Sequence, residues 1–259
     1  MKAADLFSLK GKVALVTGAS SGLGQQFARA LADNGASVAL VARRADRLQA
    51  FKTELETAGA TAVAIEADVT KRDDMVAAFD AAEATLGPVT TLVNNAGVAQ
   101  AALRATDVSE EEWRRVLSVD LDAVFYWSQE AARRMLAAGT RGAIVNIASV
   151  LGFGAHKGVA AYATAKAGVV QVTRALGIEL AFKGVRVNAI APGWFVTEIN
   201  DAYLNGEAGI ALKRSIPMGR FGREGDLTGA LLLLVSDAGA YMTGTTIVVD
   251  GGQISALNG

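Results

Sequence analysis

Tyr162 and Lys166 stand four residues apart in a stretch rich in alanine. On a helix, side chains at this spacing lie on one face and can address the same site. A phenol can donate a proton to the alkoxide that forms when a carbonyl is reduced. A nearby ammonium lowers the pKa of the phenol from its usual value of about 10. The pair by itself is weak evidence, but together with further site residues it predicts acid–base chemistry at a carbonyl or an alcohol.

A second informative segment is rich in glycine, follows the first predicted strand and opens directly into a predicted helix. Glycines in such a place permit a tight turn and let backbone N–H groups and the positive end of the helix approach a pyrophosphate. The position between strand and helix gives them more weight than a turn of similar composition would have. The segment therefore predicts a dinucleotide site. Reduction of a carbonyl needs a hydride as well as a proton, and a nicotinamide dinucleotide supplies the hydride, which no side chain can. The residues expected to line it are Gly18, Ser20, Ser21, Gly22, Leu23 and Gly24.

Short β-branched runs alternate along the chain with longer helical patterns, which is typical of βαβ units and a parallel sheet. Strands are predicted at residues 13–17, 37–41, 61–66, 91–94, 143–147, 186–191 and 246–249. Helices are predicted at residues 22–34, 46–58, 72–86, 110–138, 160–183 and 225–236. No linker, repeat or shift in composition interrupts the pattern. We therefore expect residues 1–259 to form a single α/β domain, a doubly wound Rossmann fold of about seven parallel strands.

Residues 194–223 make up the longest stretch without a clear predicted strand. Long excursions of this kind in compact domains usually serve a function or are disordered, so we expect a flap beside the site. Its large apolar side chains suggest a wall of a substrate pocket, although core packing or a subunit contact explains several of them equally well. These residues are Trp194, Phe195, Tyr203, Leu204, Ile210 and Leu212.

The composition argues against several classes of function. The 25 basic and 26 acidic residues leave a net charge of −1 without a basic block, so neither nucleic acid nor a membrane is an expected partner. Cysteine is absent, and the single histidine, His156, cannot build a zinc site of the usual kind. We expect His156 at the surface or against substrate rather than as a second acid. The N-terminal segment carries charges where a signal peptide needs an apolar run, which favours a cytoplasmic protein.

The glycines follow the pattern T-G-x₃-G-x-G from Thr17 onward, which resembles that of the short-chain dehydrogenase/reductase family. Tyr162 and Lys166 match the catalytic tyrosine and lysine of that family. Ser149, thirteen residues before Tyr162, matches the serine that hydrogen-bonds the substrate carbonyl. The resemblance covers essentially the whole chain, and residues 6–12 look like the opening of the 3-oxoacyl-carrier-protein reductase and gluconate 5-dehydrogenase branches. It implies an oxidoreductase that interconverts a 3-oxoacyl, sugar-derived or other small to medium ketone and its secondary alcohol.

The resemblance also implies further contacts with the cofactor. The segment after the fourth strand would lie along the adenosine ribose, and the end of the third strand would meet adenine. On its own, Asp68 is better interpreted as a cap of that strand. The Pro-Gly segment after the sixth strand would hold the nicotinamide carboxamide. The residues concerned are Asp68, Val69, Asn95, Ala96, Gly97, Tyr162, Lys166, Pro192, Gly193, Phe195 and Thr197.

The end of the second predicted strand bears on the choice of cofactor. A family member that prefers NAD places Asp or Glu at the position of Ala42, where the carboxylate binds the ribose hydroxyls and repels a 2′-phosphate. Here Arg43 follows, and its guanidinium can hold a phosphate through paired hydrogen bonds. NADP(H) is therefore favoured, and NAD(H) stays open. The alternative is that Arg43, Arg44 and Arg47 form a solvated helix start, although like charges there oppose the helix dipole.

Asp120 departs from the family pattern, which ordinarily has asparagine at this place. In the family the main-chain carbonyl of that asparagine holds a water in a proton relay to the lysine, and a main-chain role survives substitution. An aspartate can also pair with Lys166 and so weaken its pull on Tyr162, which would change the rate and the pH optimum but not the fold. The departure motivates a different hypothesis, a dinucleotide-sensing or scaffold protein on the same fold. The intact Ser149, Tyr162 and Lys166 argue against it.

The resemblance further implies a homotetramer, or a homodimer, joined through the helices predicted at 110–138 and 160–183 and through the C-terminal strand. Apolar residues around both faces of the second helix agree with burial on two sides, and a central helix of a monomer would look similar. The expected partner is a small carbonyl or alcohol compound, and no metal is expected.

Overall fold

The computed structural model describes residues 2–197 and 204–256. Its centre is one sheet of seven parallel strands in the order β3-β2-β1-β4-β5-β6-β7. In chain order the strands are β1 (Val13–Thr17), β2 (Ser37–Ala42), β3 (Ala62–Glu66), β4 (Thr91–Asn94), β5 (Gly142–Ile147), β6 (Val185–Pro192) and β7 (Thr246–Val249). The predicted parallel α/β sheet is confirmed, and each predicted strand end lies within one residue of the observed end.

Helices connect the strands. In chain order they are α1 (Ala3–Leu6), α2 (Gly22–Asp33), α3 (Ala45–Thr57), α4 (Arg72–Leu86), α5 (Glu110–Leu117), α6 (Ala123–Ala137), α7 (Ala160–Ala181), α8 (Glu207–Arg214) and α9 (Thr228–Val235). The helix predicted at 110–138 needs correction, because the π-helical segment Ser118–Asp122 separates α5 from α6. Such wide turns often accompany functional sites, and this one carries Asp120.

The predicted flap at 194–223 has structure of its own. It contains α8, and Phe195 pairs with Gly222 in an isolated parallel bridge. Phe195 and Leu204 are buried, whereas Ile210 is largely exposed. Tyr203 lies outside the described residues.

The core has two layers, one on each face of the sheet. Alternate residues of β1 point to opposite faces, so Val16 joins the cluster under α2, α3 and α9, whereas Leu15 joins the cluster under α4 and α6. Phe27 in the first cluster and Trp127 in the second are among the largest fully buried side chains. Cover on both faces explains why the central strands are continuous apolar runs rather than alternating ones.

The strand order reverses between β1 and β4. From β1 the chain proceeds to β2 and β3 on one side of the sheet and then continues with β4 on the other. In open α/β sheets, a crevice that binds ligands lies at such a point, outside the carboxyl ends of the strands. The glycine-rich segment follows β1, and the segment from Asn95 to Gly97 follows β4. The topology therefore brings two predicted cofactor segments to one crevice.

A buried polar network ties the sheet to α6 and α7. The Asn94 side-chain amide on β4 donates to Ser128 Oγ and to Asn146 Oδ1, each at 2.9 Å. The Asn146 amide on β5 donates in turn to Thr173 Oγ1 on α7 at 2.9 Å. Because these bonds form only in one alignment of strand and helix, they fix the position of α7 along the sheet. The helix that carries Tyr162 is thus set by polar contacts as well as by packing.

Candidate active site

The glycine-rich segment after β1 needs glycine at two positions for reasons of space. A Cβ on Gly18, where φ is +68°, would lie 2.8 Å from the Cα of Ala96. A Cβ on Gly24 would collide with the carbonyl oxygen of Gly18 and lie 2.6 Å from Asn95 Nδ2. At Gly22, where φ is +55°, the neighbour is only the Thr197 side chain at 3.4 Å. The segment is therefore pressed against the loop after β4 at Gly18 and Gly24, whereas at Gly22 the Thr197 side chain is the neighbour, at ordinary van der Waals distance.

Thr17 and Asn95 lock this segment to β4. The Thr17 hydroxyl oxygen accepts the backbone N–H groups of Asn95 at 3.0 Å and Ala96 at 3.1 Å. The Asn95 amide donates to the carbonyl oxygens of Thr17 at 3.0 Å and Gly18 at 3.3 Å. The predicted cofactor residues after β1 and β4 therefore form one rigid unit.

Arg44 is a residue that the sequence analysis assigned only to a solvated helix start. Its guanidinium donates to Ser20 Oγ at 2.9 Å and to Ser21 Oγ at 2.6 Å. The end of β2 thus places a positive charge directly on the glycine-rich segment. Arg43 is exposed, and its charge helps to lower the pKa of Asp68, which follows the neighbouring strand β3.

Asp68 forms a local turn at the end of β3. Its Oδ1 accepts the Thr70 backbone N–H at 3.0 Å and the Thr70 hydroxyl at 2.8 Å. Burial by itself would raise the pKa of Asp68, but these bonds and the charges of Arg43 and Lys71 lower it on balance. This geometry agrees with the strand-end interpretation of Asp68. The next residue, Val69, accepts the indole N–H of Trp127 at 3.0 Å through its carbonyl oxygen.

The three residues expected to act on substrate lie together. Tyr162 and Lys166 share one face of α7, and the Lys166 Nζ lies 5.5 Å from the centre of the Tyr162 ring. Ser149 lies two residues after the end of β5, and its side chain is close enough to the Tyr162 phenol for a hydrogen bond from it to lower the pKa of that phenol. The Ser149 Oγ also accepts the Leu151 backbone N–H at 3.1 Å, which holds its side chain in place. The side chains of Ser149, Tyr162 and Lys166 therefore form one cluster.

Asp120 completes this cluster. Its Oδ1 lies 3.0 Å from Lys166 Nζ in an ion pair whose side chains are 0 % and 5 % exposed. Its Oδ2 accepts the Val98 backbone N–H at 3.1 Å. Lys166 Nζ also donates to the carbonyl oxygen of Ile147 at 3.1 Å. A Cβ on Gly97 would lie 2.8 Å from Asp120 Oδ1, so the close approach of this loop to the ion pair requires glycine.

The electrostatics of the cluster differ from the expectation. Burial raises the pKa of the Tyr162 phenol; Lys166 lowers it as predicted, but the Asp120 carboxylate raises it, and the net direction is upward. Burial alone would lower the pKa of Lys166, yet the charge of Asp120 raises it on balance. The predicted pairing of Asp120 with Lys166 is present. Lys166 lowers the pKa of the phenol as predicted, but burial and Asp120 together outweigh it.

The segment after β6 reaches the same crevice. Gly193 donates its backbone N–H to the carbonyl oxygen of Val249 at 2.9 Å, and a Cβ there would lie 2.8 Å from the Cα of Asp250. Thr197 stands over Gly22, and Phe195 is buried. The predicted carboxamide segment, which begins at Pro192, thus lies beside the glycine-rich segment.

Two further observations concern alternative chemistry. The ring of His156 is exposed, and its Nδ1 lies 2.9 Å from the carbonyl oxygen of Lys157, which agrees with a place at the surface. Within residues 2–197 and 204–256, acidic side chains and the histidine form no group of three that could hold a metal ion. In the same part of the chain, no helix combines the length and apolar character needed to cross a membrane.

Gln100 is a residue that the sequence analysis missed. Its Oε1 accepts the backbone N–H of Tyr162 at 3.1 Å. The contact joins residues 62 positions apart in the chain. No motif or periodicity connects them, and only the folded chain brings them together.

Comparisons with known proteins agree with this geometry. A family model described as enoyl-(acyl carrier protein) reductase matches residues 18–253. The chain is 42% identical to 3beta-hydroxysteroid dehydrogenase 1 of Eggerthella lenta over 248 residues, which cover 95% of this chain and 94% of that protein. A short-chain type dehydrogenase/reductase from Mycobacterium marinum has a TM-score of 0.92 at 40% identity, with 97% of this chain and 99% of that chain covered. A gluconate 5-dehydrogenase from Burkholderia cenocepacia, crystallised with NADP and tartrate, has a TM-score of 0.94 at 35% identity, with 99% and 100% covered. The chain belongs to the short-chain dehydrogenase/reductase family of oxidoreductases.

Proposed function

We propose that this protein is an NADP-dependent oxidoreductase that interconverts a ketone and its secondary alcohol, with Tyr162 as general acid and base. The observation that carries the proposal is the meeting of Ser149, Tyr162 and Lys166 at one point beside the strand-order reversal. Gluconate and hydroxysteroid dehydrogenases among the relatives support a secondary alcohol as the substrate class. A 3-oxoacyl or sugar-derived compound fits the same chemistry.

The glycine-rich segment and its neighbours would hold the cofactor. Gly22 has a φ of +55° and no Cβ, so the N–H groups of Ser21 to Leu23 at the start of α2 would be able to approach a pyrophosphate beside the Thr197 side chain. Ala96 and Gly97 would line the ribose, Val69 the adenine, and Thr197 the carboxamide. When bound, the nicotinamide donates or accepts the hydride.

The preference for NADP is inferred from charge. Ala42, at the end of β2, bears no carboxylate that could repel a 2′-phosphate. Arg44 already donates to Ser20 and Ser21, and exposed Arg43 follows Ala42 directly. The two guanidiniums and two hydroxyls would form a phosphate site of matching charge. The NADP found in the related gluconate dehydrogenase supports the same choice.

The proton steps follow from the contacts of the cluster. In ketone reduction, Ser149 would donate a hydrogen bond to the carbonyl oxygen, and Tyr162 would give its proton to that oxygen as negative charge develops. In alcohol oxidation, the phenolate would take the proton back. The Lys166 ammonium stabilises the phenolate, while Asp120 and the Ile147 carbonyl hold that ammonium in place.

We also propose one domain and a homotetrameric or homodimeric assembly. One sheet contains all the described strands, which supports a single domain. On α7, Ile178 is 79% exposed, and Phe182, the C-cap residue four positions further on, is fully exposed. Apolar side chains at this spacing form one face, which a second copy of the chain would cover.

A test of the proposed function compares the wild type with Tyr162→Phe. Loss of NADPH absorbance is followed with a panel of ketones, among them 3-oxoacyl thioesters, keto-sugar acids and 3-oxosteroids. We expect turnover of at least one ketone by the wild type and a loss of about 10²–10⁴-fold in Tyr162→Phe, because general acid catalysis is typically worth that factor. The variant keeps the ring, so NADPH affinity and the melting temperature should change little.

The matched control is Tyr241→Phe, which removes a fully exposed phenol and should retain full activity. Tight NADPH binding without turnover of any ketone, or of the matching alcohols with NADP⁺, would favour the sensing or scaffold hypothesis. Activity of Tyr162→Phe within a few-fold of the wild type would mean that another group supplies the proton.

A further inference from the structure

The first turn of α7 lacks a cap from its own sequence. The first four N–H groups of a helix have no partner within the helix, and Ser, Thr, Asp or Asn usually satisfies one of them. Here the N-cap residue is Val159, which has no polar side chain and makes no capping bond. The third helical residue is Tyr162, so the uncapped turn is the one that carries the phenol.

Gln100 supplies the missing acceptor from the loop after β4. Its Oε1 accepts the Tyr162 N–H at 3.1 Å, and the residue is almost completely buried at 8% exposure. A backbone N–H can only donate, so this contact determines which end of the amide faces α7. The same loop is attached a second time, because the Leu103 N–H donates to the carbonyl oxygen of Gly158 at 3.2 Å.

The other end of the Gln100 amide is an unfavourable feature of this arrangement. Its Nε2 is buried and has no acceptor among residues 2–197 and 204–256. A buried donor without a partner destabilises a protein, and an aliphatic side chain of similar size would avoid that cost. The bond from the Tyr162 N–H is therefore the contribution of this amide that an aliphatic residue could not replace.

The contact acts on Tyr162 and not on its catalytic neighbour. Lys166 lies one turn further along α7 and is held separately by Asp120 and by the Ile147 carbonyl. Loosening of the first turn would therefore shift the phenol relative to an ammonium that stays in place. Displacements of about 1 Å in a reacting group can cost on the order of 10²-fold in rate.

We infer that Gln100 is a positioning residue that caps α7 at Tyr162 and thereby fixes the phenol relative to Lys166 and substrate. The inference rests on the proposed function of Tyr162. Its consequence is that the loop after β4, which also approaches the Asp120–Lys166 pair through Gly97 and Val98, contributes to proton transfer without contacting the reacting atoms.

The experiment compares Gln100→Leu, which removes the acceptor, with Gln100→Glu, which keeps it. The control Gln49→Leu makes the same change at an exposed position of α3. We measure kcat and KM across pH with NADPH and the ketone that the wild type reduces best, the dissociation constant of NADPH, and amide hydrogen exchange of peptides covering residues 159–165. The pH series separates two effects. A new charge in Gln100→Glu would shift the dependence of kcat on pH along the pH axis, whereas a displaced phenol would lower the plateau value of kcat.

For Gln100→Leu we expect faster amide exchange in the first turn of α7 and a plateau kcat lower by about 10–100-fold, with NADPH affinity unchanged. Gln100→Glu should restore slow exchange and most of the plateau, and Gln49→Leu should resemble the wild type. Unchanged kcat in Gln100→Leu despite faster exchange would overturn the inference, as would a kcat loss that Gln100→Glu does not restore. Unchanged exchange in Gln100→Leu would refute the cap itself. The exchange measurement needs no turnover, so an inactive wild type would count against the proposed function and not against the cap.

Discussion

Two opposite charges meet beside the Tyr162 phenol, the ammonium of Lys166 and the carboxylate of Asp120. Their effects on the phenol oppose each other, because a positive charge favours the phenolate and a negative charge disfavours it. With burial added, the pKa of the phenol lies above its ordinary value. At the scale of the residue, the acidity of Tyr162 therefore depends on a balance of three contributions that can be changed one at a time.

Replacing Asp120 by Asn should shift this balance. The change removes a contribution that raises the pKa of Tyr162, so the phenolate should form at lower pH. Alcohol oxidation needs the phenolate as base, and the pH at which its kcat/KM reaches half its maximum should therefore fall. The pH profile of NADP⁺-dependent oxidation measures this, with Asp122→Asn as control because Asp122 is exposed on the same π-helical segment. Superimposable profiles of Asp120→Asn and wild type would contradict the expectation, and complete inactivation would mean that the carboxylate is essential.

The choice of cofactor is also a matter of single residues. We expect Arg44→Ala and Arg43→Ala each to weaken NADPH binding by roughly tenfold or more, since hydrogen bonds to charged groups contribute about 1.5–3 kcal/mol. NADH lacks the 2′-phosphate and should be affected much less. Fluorescence titration with both cofactors measures the difference, and Lys52→Ala on α3 controls for the loss of a positive charge. Equal losses for NADPH and NADH would assign the arginine a structural role.

At the scale of the element, α7 is held at separate points along its length. Gln100 caps its first turn, the Asp120 ion pair holds the second, and the Asn146–Thr173 bond ties its middle to β5. The π-helical segment that carries Asp120 belongs to the same arrangement, because it directs the carboxylate at Lys166. A helix fixed in this way can keep the phenol in place while substrate and cofactor exchange.

Thr173→Val should reveal the contribution of the buried network. The substitution keeps the shape of the side chain but leaves the Asn146 amide without its acceptor, and Thr173 is completely buried. An unpaired buried donor costs about 1–3 kcal/mol, so the free energy of unfolding should fall by roughly that amount. Denaturant unfolding measures it, with Thr164→Val as the control at an exposed position of the same helix. A variant as stable as the wild type would show that the network contributes nothing net.

At the scale of the whole molecule, the outer surface of α7 carries large apolar side chains. Ile178 and the C-cap residue Phe182 stand four positions apart on one face, and they are mostly and fully exposed, respectively. Exposed apolar residues that cluster in this way usually mark an interaction surface. In the proposed assembly a second copy of the chain covers this face, and it would thereby bury the outer surface of α7, the helix that carries Tyr162.

Ile178→Asp should therefore dissociate the assembly. A charge placed in an apolar interface is costly to bury, so the sedimentation coefficient should fall towards that of a smaller species. Thr53→Asp, at an exposed position of α3, introduces the same charge away from this face and should leave the assembly intact. If the wild type itself sediments as a monomer of 26.7 kDa, the proposed assembly is wrong.

The sequence by itself determined the parallel sheet, the glycine-rich segment and the placement of Tyr162 and Lys166 on one helix face. These features depend on local regularities, namely apolar runs of strand length, helical spacing and glycines at a strand-to-helix turn. Strand ends were therefore predicted to within one residue. The helix at 110–138 was predicted as unbroken because a π-helical turn leaves little trace in the spacing of apolar residues.

Only the tertiary structure decided which residues pair with the charged groups of the site and which residue caps α7. The contacts of Lys166 with Asp120, of Tyr162 with Gln100 and of Arg44 with Ser20 join residues 24 to 62 positions apart. No periodicity links such residues, because their distance depends on the order of strands, on the alignment of helices and on side-chain conformation. For the same reason the net direction of the Tyr162 pKa could not be predicted: burial, the largest contribution, is a property of the folded molecule.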